Sequence, residues 1–210
     1  MKNKLIYQTS EYDCGPTTLV NGLRFLFDRE QISPEMLRAI HLYTLDSYND
    51  DCEDGKSGTS AMAIRFLSCW FNQYGEKKKF PIYSVFLEKD SVYIGQTGRI
   101  NECLQQGGAV LVWVWLDGEG HYVLLTGIDG DSVELFYPYY ADDCMKYSND
   151  GRIRIVSGGE DRMNRIVDAE LLNNTGDCDY SMGAVVNREA LLIYNTDTRR
   201  TPEKTIEYVI

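Results

Sequence analysis

The sequence predicts an α+β fold, with helices first and an antiparallel sheet second. Three observations carry this. Apolar residues recur at helical spacing through most of the first third of the chain. The later runs are short, apolar or alternating, and sized for strands. Between two of them, Asp129-Gly130-Asp131 is a hairpin signal.

The elements follow in order. The first helix begins at Cys14, carries Pro16 in its first turn, where the missing N–H does no harm, and buries Leu19, Val20, Leu23, Leu26 and Phe27. Ser33 as N-cap and Pro34 at the first helical position announce a second. A third starts from a cap on Thr59 or Ser60 and packs Met62, Ile64, Phe66, Leu67, Trp70 and Phe71; Cys69 reads as part of the same core, and Gly75 ends the helix. "PIYSVFL" from Pro81 to Leu87 reads as an outer strand, and Ile100 to Gln106 as a short helix stopped by Gly107-Gly108.

"AVLVWVWL", from Ala109 to Leu116, is apolar on both faces and belongs inside a sheet. "HYVLLTGID" and "SVELFYPYY" are the hairpin arms. Beyond Tyr140, "ADDCMKYSNDG" reads as a polar loop, "RIRIV" as a strand, and Asp161 to Leu172 as a helix stopped by Asn173-Asn174; "REALLIYN" and "TIEYVI" read as the last strands. No repeat or low-complexity linker divides the chain. Residues 1–210 are therefore expected to form a single domain, with 1–140 as its core and 141–210 as a C-terminal extension packed on it.

Composition narrows the setting. A chain of 210 residues that is 43% hydrophobic can bury one sizeable core. Its net charge of -11 argues against nucleic acid or an anionic membrane as partner, and Lys77, Lys78 and Lys79 read as a solvated turn. "MKNKLIYQTS" lacks the apolar stretch of a signal peptide and no run is long enough to span a membrane, so a soluble cytoplasmic protein is expected. Six cysteines without a Cys-x-x-Cys pair, and only two histidines, predict neither a disulfide framework nor structural zinc, and no cofactor is expected. The acidic stretch from Asp46 to Gly55 lacks the ligand spacing of a calcium loop and reads as a solvated loop that borders a cleft.

The candidate chemistry begins at "YQTSEYDCGPTTL". A thiol attacks as its thiolate, and a helix N-terminus favours an anion, so Cys14 followed by Gly15 and Pro16 reads as a candidate nucleophile. His121 opens an apolar strand in "GEGHYVLLTGIDG", where its ring can act as general base and acid; His41 has only a structural reading. Gln8 supplies an amide donor of the kind that stabilises an oxyanion.

Taken together, "QTSEYDCGP" (Gln8 to Pro16), "GTS" from Gly58, "GHYVLLTGID" (Gly120 to Asp129) and "FYPY" (Phe136 to Tyr139) resemble the papain-like peptidases that cut bacteriocin leader peptides after a double glycine. The resemblance covers residues 5 to 140 and brings no membrane span or nucleotide-binding domain with it. It implies a papain-like cysteine peptidase fold with Cys14 as nucleophile, His121 as its base, Gln8 as oxyanion donor, and a peptide or protein as substrate.

One position departs from the pattern. Where the family has aspartate before the proline, this chain has Tyr137, whose hydroxyl accepts a hydrogen bond but carries no charge at pH 7. Tyr137 is expected to be a weak orienting group for His121. Asp142 and Asp143 are placed to fold back toward it, whereas Asp129 and Asp131 sit at the wrong end of the hairpin. The function expected is peptide-bond hydrolysis through an acyl-enzyme. The alternatives are acyl transfer to an amine, with the extension shaping the acceptor site, and a peptide-binding module with an impaired site. Gly107-Gly108 and Gly158-Gly159 read as turns rather than as self-processing sites.

Overall fold

Ser33 and Ser60 each precede an amphipathic run, and each caps it. The Ser33 hydroxyl accepts from the Met36 N–H at 3.3 Å and that of Ser60 from the Ala63 N–H at 3.2 Å. The computed structural model describes residues 3–139, 151–159 and 161–201; Asp142, Asp143, residues 141–150 of the polar loop and "TIEYVI" lie outside them. The described helices are α1 (Cys14–Leu26), α2 (Pro34–Tyr43), α3 (Ala61–Lys78), α4 (Arg99–Gln105) and the single turn α5 (Ala169–Leu172). The strands are β1 (Ile82–Glu88), β2 (Ala109–Leu116), β3 (Glu119–Asp129), β4 (Ser132–Phe136), β5 (Ile153–Ile155), β6 (Arg165–Asp168) and β7 (Glu189–Asn195).

The α+β class is the one the sequence predicts. The strands form one antiparallel sheet in the order β1-β7-β2-β3-β4-β6-β5. β1 is an outer strand and β2 an inner one, as their patterns require. Because side chains alternate across a strand, β2 sends Leu111 toward α1, α2 and α3, where it joins Leu23, Ile64 and Phe71, and sends Val110 and Val112 to the other face beside Ile100 of α4. Helices thus cover both faces of the sheet. β7 comes late in the chain yet lies between β1 and β2, with all seven of its residues buried.

Three local expectations are corrected. Helix α3 does not stop at Gly75 but runs to Lys78, and the left-handed residue that ends it is Lys79 with φ 53°. Gly75 answers a close approach instead, since a Cβ there would stand 2.7 Å from the carbonyl oxygen of Ile82. Met62, Phe66 and Cys69 are exposed rather than core, Met62 at 76%. They form a second stripe at helical spacing, while the sheet covers only the stripe of Ile64, Leu67 and Phe71. Finally, Asp161 to Leu172 is not one helix. Arg165 to Asp168 pair with β4 and Arg165 to Val167 also with β5, and the Asp168 carboxylate then caps the short turn α5 by accepting from the Glu170 N–H at 2.7 Å.

Candidate active site

The segment before α1 is shaped by one carboxylate. Asp13 accepts from the Ser10 N–H at 2.8 Å and hydroxyl at 2.9 Å, and from the Thr9 N–H at 3.1 Å and hydroxyl at 3.0 Å. Burial alone would raise the Asp13 pKa, but these hydrogen bonds outweigh it and hold the carboxyl below its usual range. The turn they close fixes Gln8, whose backbone N–H donates to the Pro138 carbonyl at 2.8 Å. The Gln8 side-chain Nε2 donates to the Ser10 carbonyl at 2.8 Å, leaving a second N–H, while its buried Oε1 has no partner among the described residues.

Helix α1 then meets the edge of β3. The last register pair of β3 and β4 is Leu124 with Phe136, so β3 runs on past its neighbour toward residues 121 and 122. The first turn of α1 takes that place. The Thr18 hydroxyl donates to the Tyr122 carbonyl at 3.0 Å, and the Tyr122 backbone N–H faces the sulfur of Cys14. Cys14 is 6% exposed. Its neighbour Gly15 touches the cap of α3, since a Cβ on Gly15 would collide with the side chain of Thr59. That cap is tied to the acidic loop, because Asp46 accepts from the Ser60 N–H at 2.8 Å. The loop therefore departs from beside the candidate nucleophile.

His121 directly precedes Tyr122. Its ring meets the ring of Tyr137 edge-on, centroids 5.6 Å apart at 89°. Tyr137 is buried, and Nδ1 of His121 is buried with no hydrogen-bond partner among the described residues. Among the described residues no hydrogen bond joins Cys14 to His121. Tyr137 thus meets the imidazole through its ring, not by a hydrogen bond to Nδ1.

The electrostatics favour neutral forms. Burial pushes the Cys14 thiol up; the N–H groups of Tyr122, Gly15 and Cys14 itself oppose this in part, and the Asp13 charge adds to it. The helix N-terminus expected to favour thiolate is present, but desolvation outweighs it. Burial likewise pushes His121 down, against the smaller opposing charges of Glu119 and Asp117. At pH 7 the pair is thiol and imidazole. On the face of β3 that α1 covers, the Tyr122 hydroxyl donates to the buried carboxyl of Glu189; burial and that carboxyl drive the tyrosine pKa far up.

The structure therefore brings Gln8, Cys14, His121 and Tyr137 to one end of β3 and α1. Sequence reading missed Asp13, Thr18 and Glu189 around them, and gave Thr59 only as a cap candidate in the "GTS" motif. The spacing of Thr18 one helical turn after Cys14 was a local signal that could have found it. Among the described residues no group of three His, Cys, Asp or Glu side chains is placed to hold a metal.

No protein-family model matches the chain, and no curated protein does. Among solved structures it is similar to the peptidase domain of Streptococcus ComA, a bi-functional ABC transporter involved in quorum sensing (12% identity, 91% of this chain and 97% of that one, TM-score 0.44). It is also similar to the peptidase domain of Streptococcus mutans ComA (11%, 90% and 98%, 0.40), and to a double glycine motif protease from an AMS/PCAT transporter in complex with the leader peptide (15%, 66% and 79%, 0.35). These belong to the group that the sequence motifs resemble. At such scores the likeness decides nothing about the site, whose chemistry rests on this chain's own residues.

Proposed function

We propose that the chain is a papain-like cysteine peptidase that hydrolyses an extended peptide through Cys14 and His121. One observation carries the reading: Cys14 starts α1 with its sulfur against the backbone N–H of Tyr122, the residue after His121. Since thiol and imidazole are both neutral at pH 7, His121 takes the proton from Sγ as the sulfur attacks the carbonyl carbon. The oxyanion is met by the Cys14 N–H and by the second Nε2 hydrogen of Gln8. The tetrahedral intermediate collapses as His121 returns its proton to the leaving amine. Water, deprotonated by the same imidazole, then releases the acyl group and restores the thiol. By the sequence resemblance, the residues before the cut are small.

An epoxide directed at peptidase thiols tests this. The expected result is selective modification of Cys14 over the other five thiols, lost in His121→Ala. Equal, slow labelling of all six would overturn it. Product analysis with and without added amines separates hydrolysis from acyl transfer.

A second reading, a peptide-binding module with a silent site, is favoured by the same shifts. A thiol raised and an imidazole lowered are the opposite of a poised ion pair, and among the described residues Nδ1 has no hydrogen-bond partner. Under it, peptide binding survives Cys14→Ser unchanged and no probe labels Cys14.

A further inference from the structure

Among the described residues, four asparagine side chains each take the place of a peptide group. Asn21 pairs with the N–H and C=O of Ile6 (2.8 and 2.8 Å), Asn72 with those of Ser84 (2.8 and 2.9 Å), and Asn173 with those of Ile94 (2.9 and 2.7 Å). The fourth is Asn164. Its Oδ1 accepts from the Tyr137 N–H at 2.8 Å and its Nδ2 donates to the Tyr137 carbonyl at 2.8 Å.

This fourth clamp has a special location. Tyr137 lies one residue beyond the end of β4, and the side chain of Asn164 supplies both a donor and an acceptor to its backbone. Asn164 is itself fixed and 4% exposed: its N–H donates to the Leu135 carbonyl at 3.0 Å, and its own carbonyl accepts from Val156 at 3.0 Å and from the Arg165 guanidinium at 2.8 Å. From Asn164 a rigid path leads through the Tyr137 backbone to its ring, and from that ring to the imidazole of His121.

We propose that Asn164 is a positioning residue for His121: by clamping the Tyr137 backbone it holds the Tyr137 ring edge-on against the imidazole and so sets the imidazole's plane. A hydrogen-bonding carboxylate would fix both the plane and the tautomer of a histidine; a ring contact fixes only the plane. The catalytic consequence rests on the Cys14–His121 reading above, but the placement of the ring does not. Among the described residues, the charged and titratable groups that act on the imidazole are Asp117 in the turn before β3, Glu119 at its start, and Tyr137 itself, while Cys14 on α1 meets the backbone of the next residue, Tyr122.

The test is NMR of the full chain labelled at its two histidines, of which His41 lies on α2 and serves as an internal reference. Asn164→Ala is expected to move the carbon-bound His121 ring protons toward unstacked shifts and to raise the His121 midpoint toward 6.5. Asn164→Asp, which keeps the acceptor for the Tyr137 N–H and loses the donor to its carbonyl, guards against a failure to fold and is expected to fall between. Asn72→Ala removes the same kind of clamp from the α3–β1 contact; it is expected to lower the melting temperature and leave the His121 signals in place. The proposal is overturned if His121 is unmoved in a folded Asn164 variant, or moves as much in Asn72→Ala.

Activity is a separate arm. If the epoxide labels Cys14 in the unaltered chain, Asn164→Ala is expected to slow it several-fold at neutral pH. If the unaltered chain is not labelled while the NMR effect holds, the peptidase reading fails and the clamp stands.

Discussion

Cys14 and His121 depart from their ordinary values in directions that can be checked separately. With its thiol raised by burial, Cys14 should alkylate slowly at pH 7 and faster with each step to pH 9; a plateau reached below pH 6 would mean an ion pair instead. Asp13 adds to the rise, so Asp13→Asn should speed alkylation at pH 7.5 while lowering stability through the weakened turn at Thr9 and Ser10. For His121 the folded value lies below the unfolded one near 6.5, so the unfolded chain binds the extra proton. The contribution is present above pH 6.5 and is lost as pH falls below it. His121→Gln should flatten the fall in melting temperature between pH 6.5 and 5.

At the scale of elements, the site depends on α1 being held to β3 and on α3 approaching α1. Thr18→Val keeps the shape of the helix but leaves the Tyr122 carbonyl without its hydroxyl donor, a loss of about 1–3 kcal/mol in denaturant unfolding. Gly15→Ala drives a methyl group into Thr59 in a closely packed contact, at about 1–3 kcal/mol, and should change Cys14 labelling as well as stability. The local signals here were legible. Caps at Ser33 and at Thr59 or Ser60, Pro16 in the first turn and the Asp129-Gly130-Asp131 hairpin depend on a few adjacent residues, so local propensity places them, and the structure chooses Ser60 of the two. Which stripe of α3 is buried was not legible. Met62, Phe66 and Cys69 repeat as regularly as Ile64, Leu67 and Phe71, and periodicity cannot say which set the sheet will cover.

For the whole molecule, the placement of β7 is decisive. Leu191, Leu192 and Ile193 are fully buried between β1 and β2, each contributing about 1.5–3 kcal/mol of burial, against a net stability of about 5–15 kcal/mol for a domain. A chain ending at residue 140 should therefore fail to fold cooperatively, seen as a missing thermal transition by circular dichroism. β1 would have lost the strand it pairs with and β2 one of its two neighbours.

The helices-then-sheet order, the start of α1 at Cys14 and the place of His121 at the head of an apolar strand can all be read from the residues in line. All of these are written in capping residues, periodicity and short motifs. It took the folded chain to bring β7 into the middle of the sheet and to bury Cys14 deeply enough that desolvation outweighs the helix N-terminus and raises the thiol. The tertiary structure also decided that Asn164, 27 positions from Tyr137, shapes the surroundings of His121. A strand's partners, a side chain's depth and a clamp between distant backbone groups all depend on what the rest of the chain brings alongside.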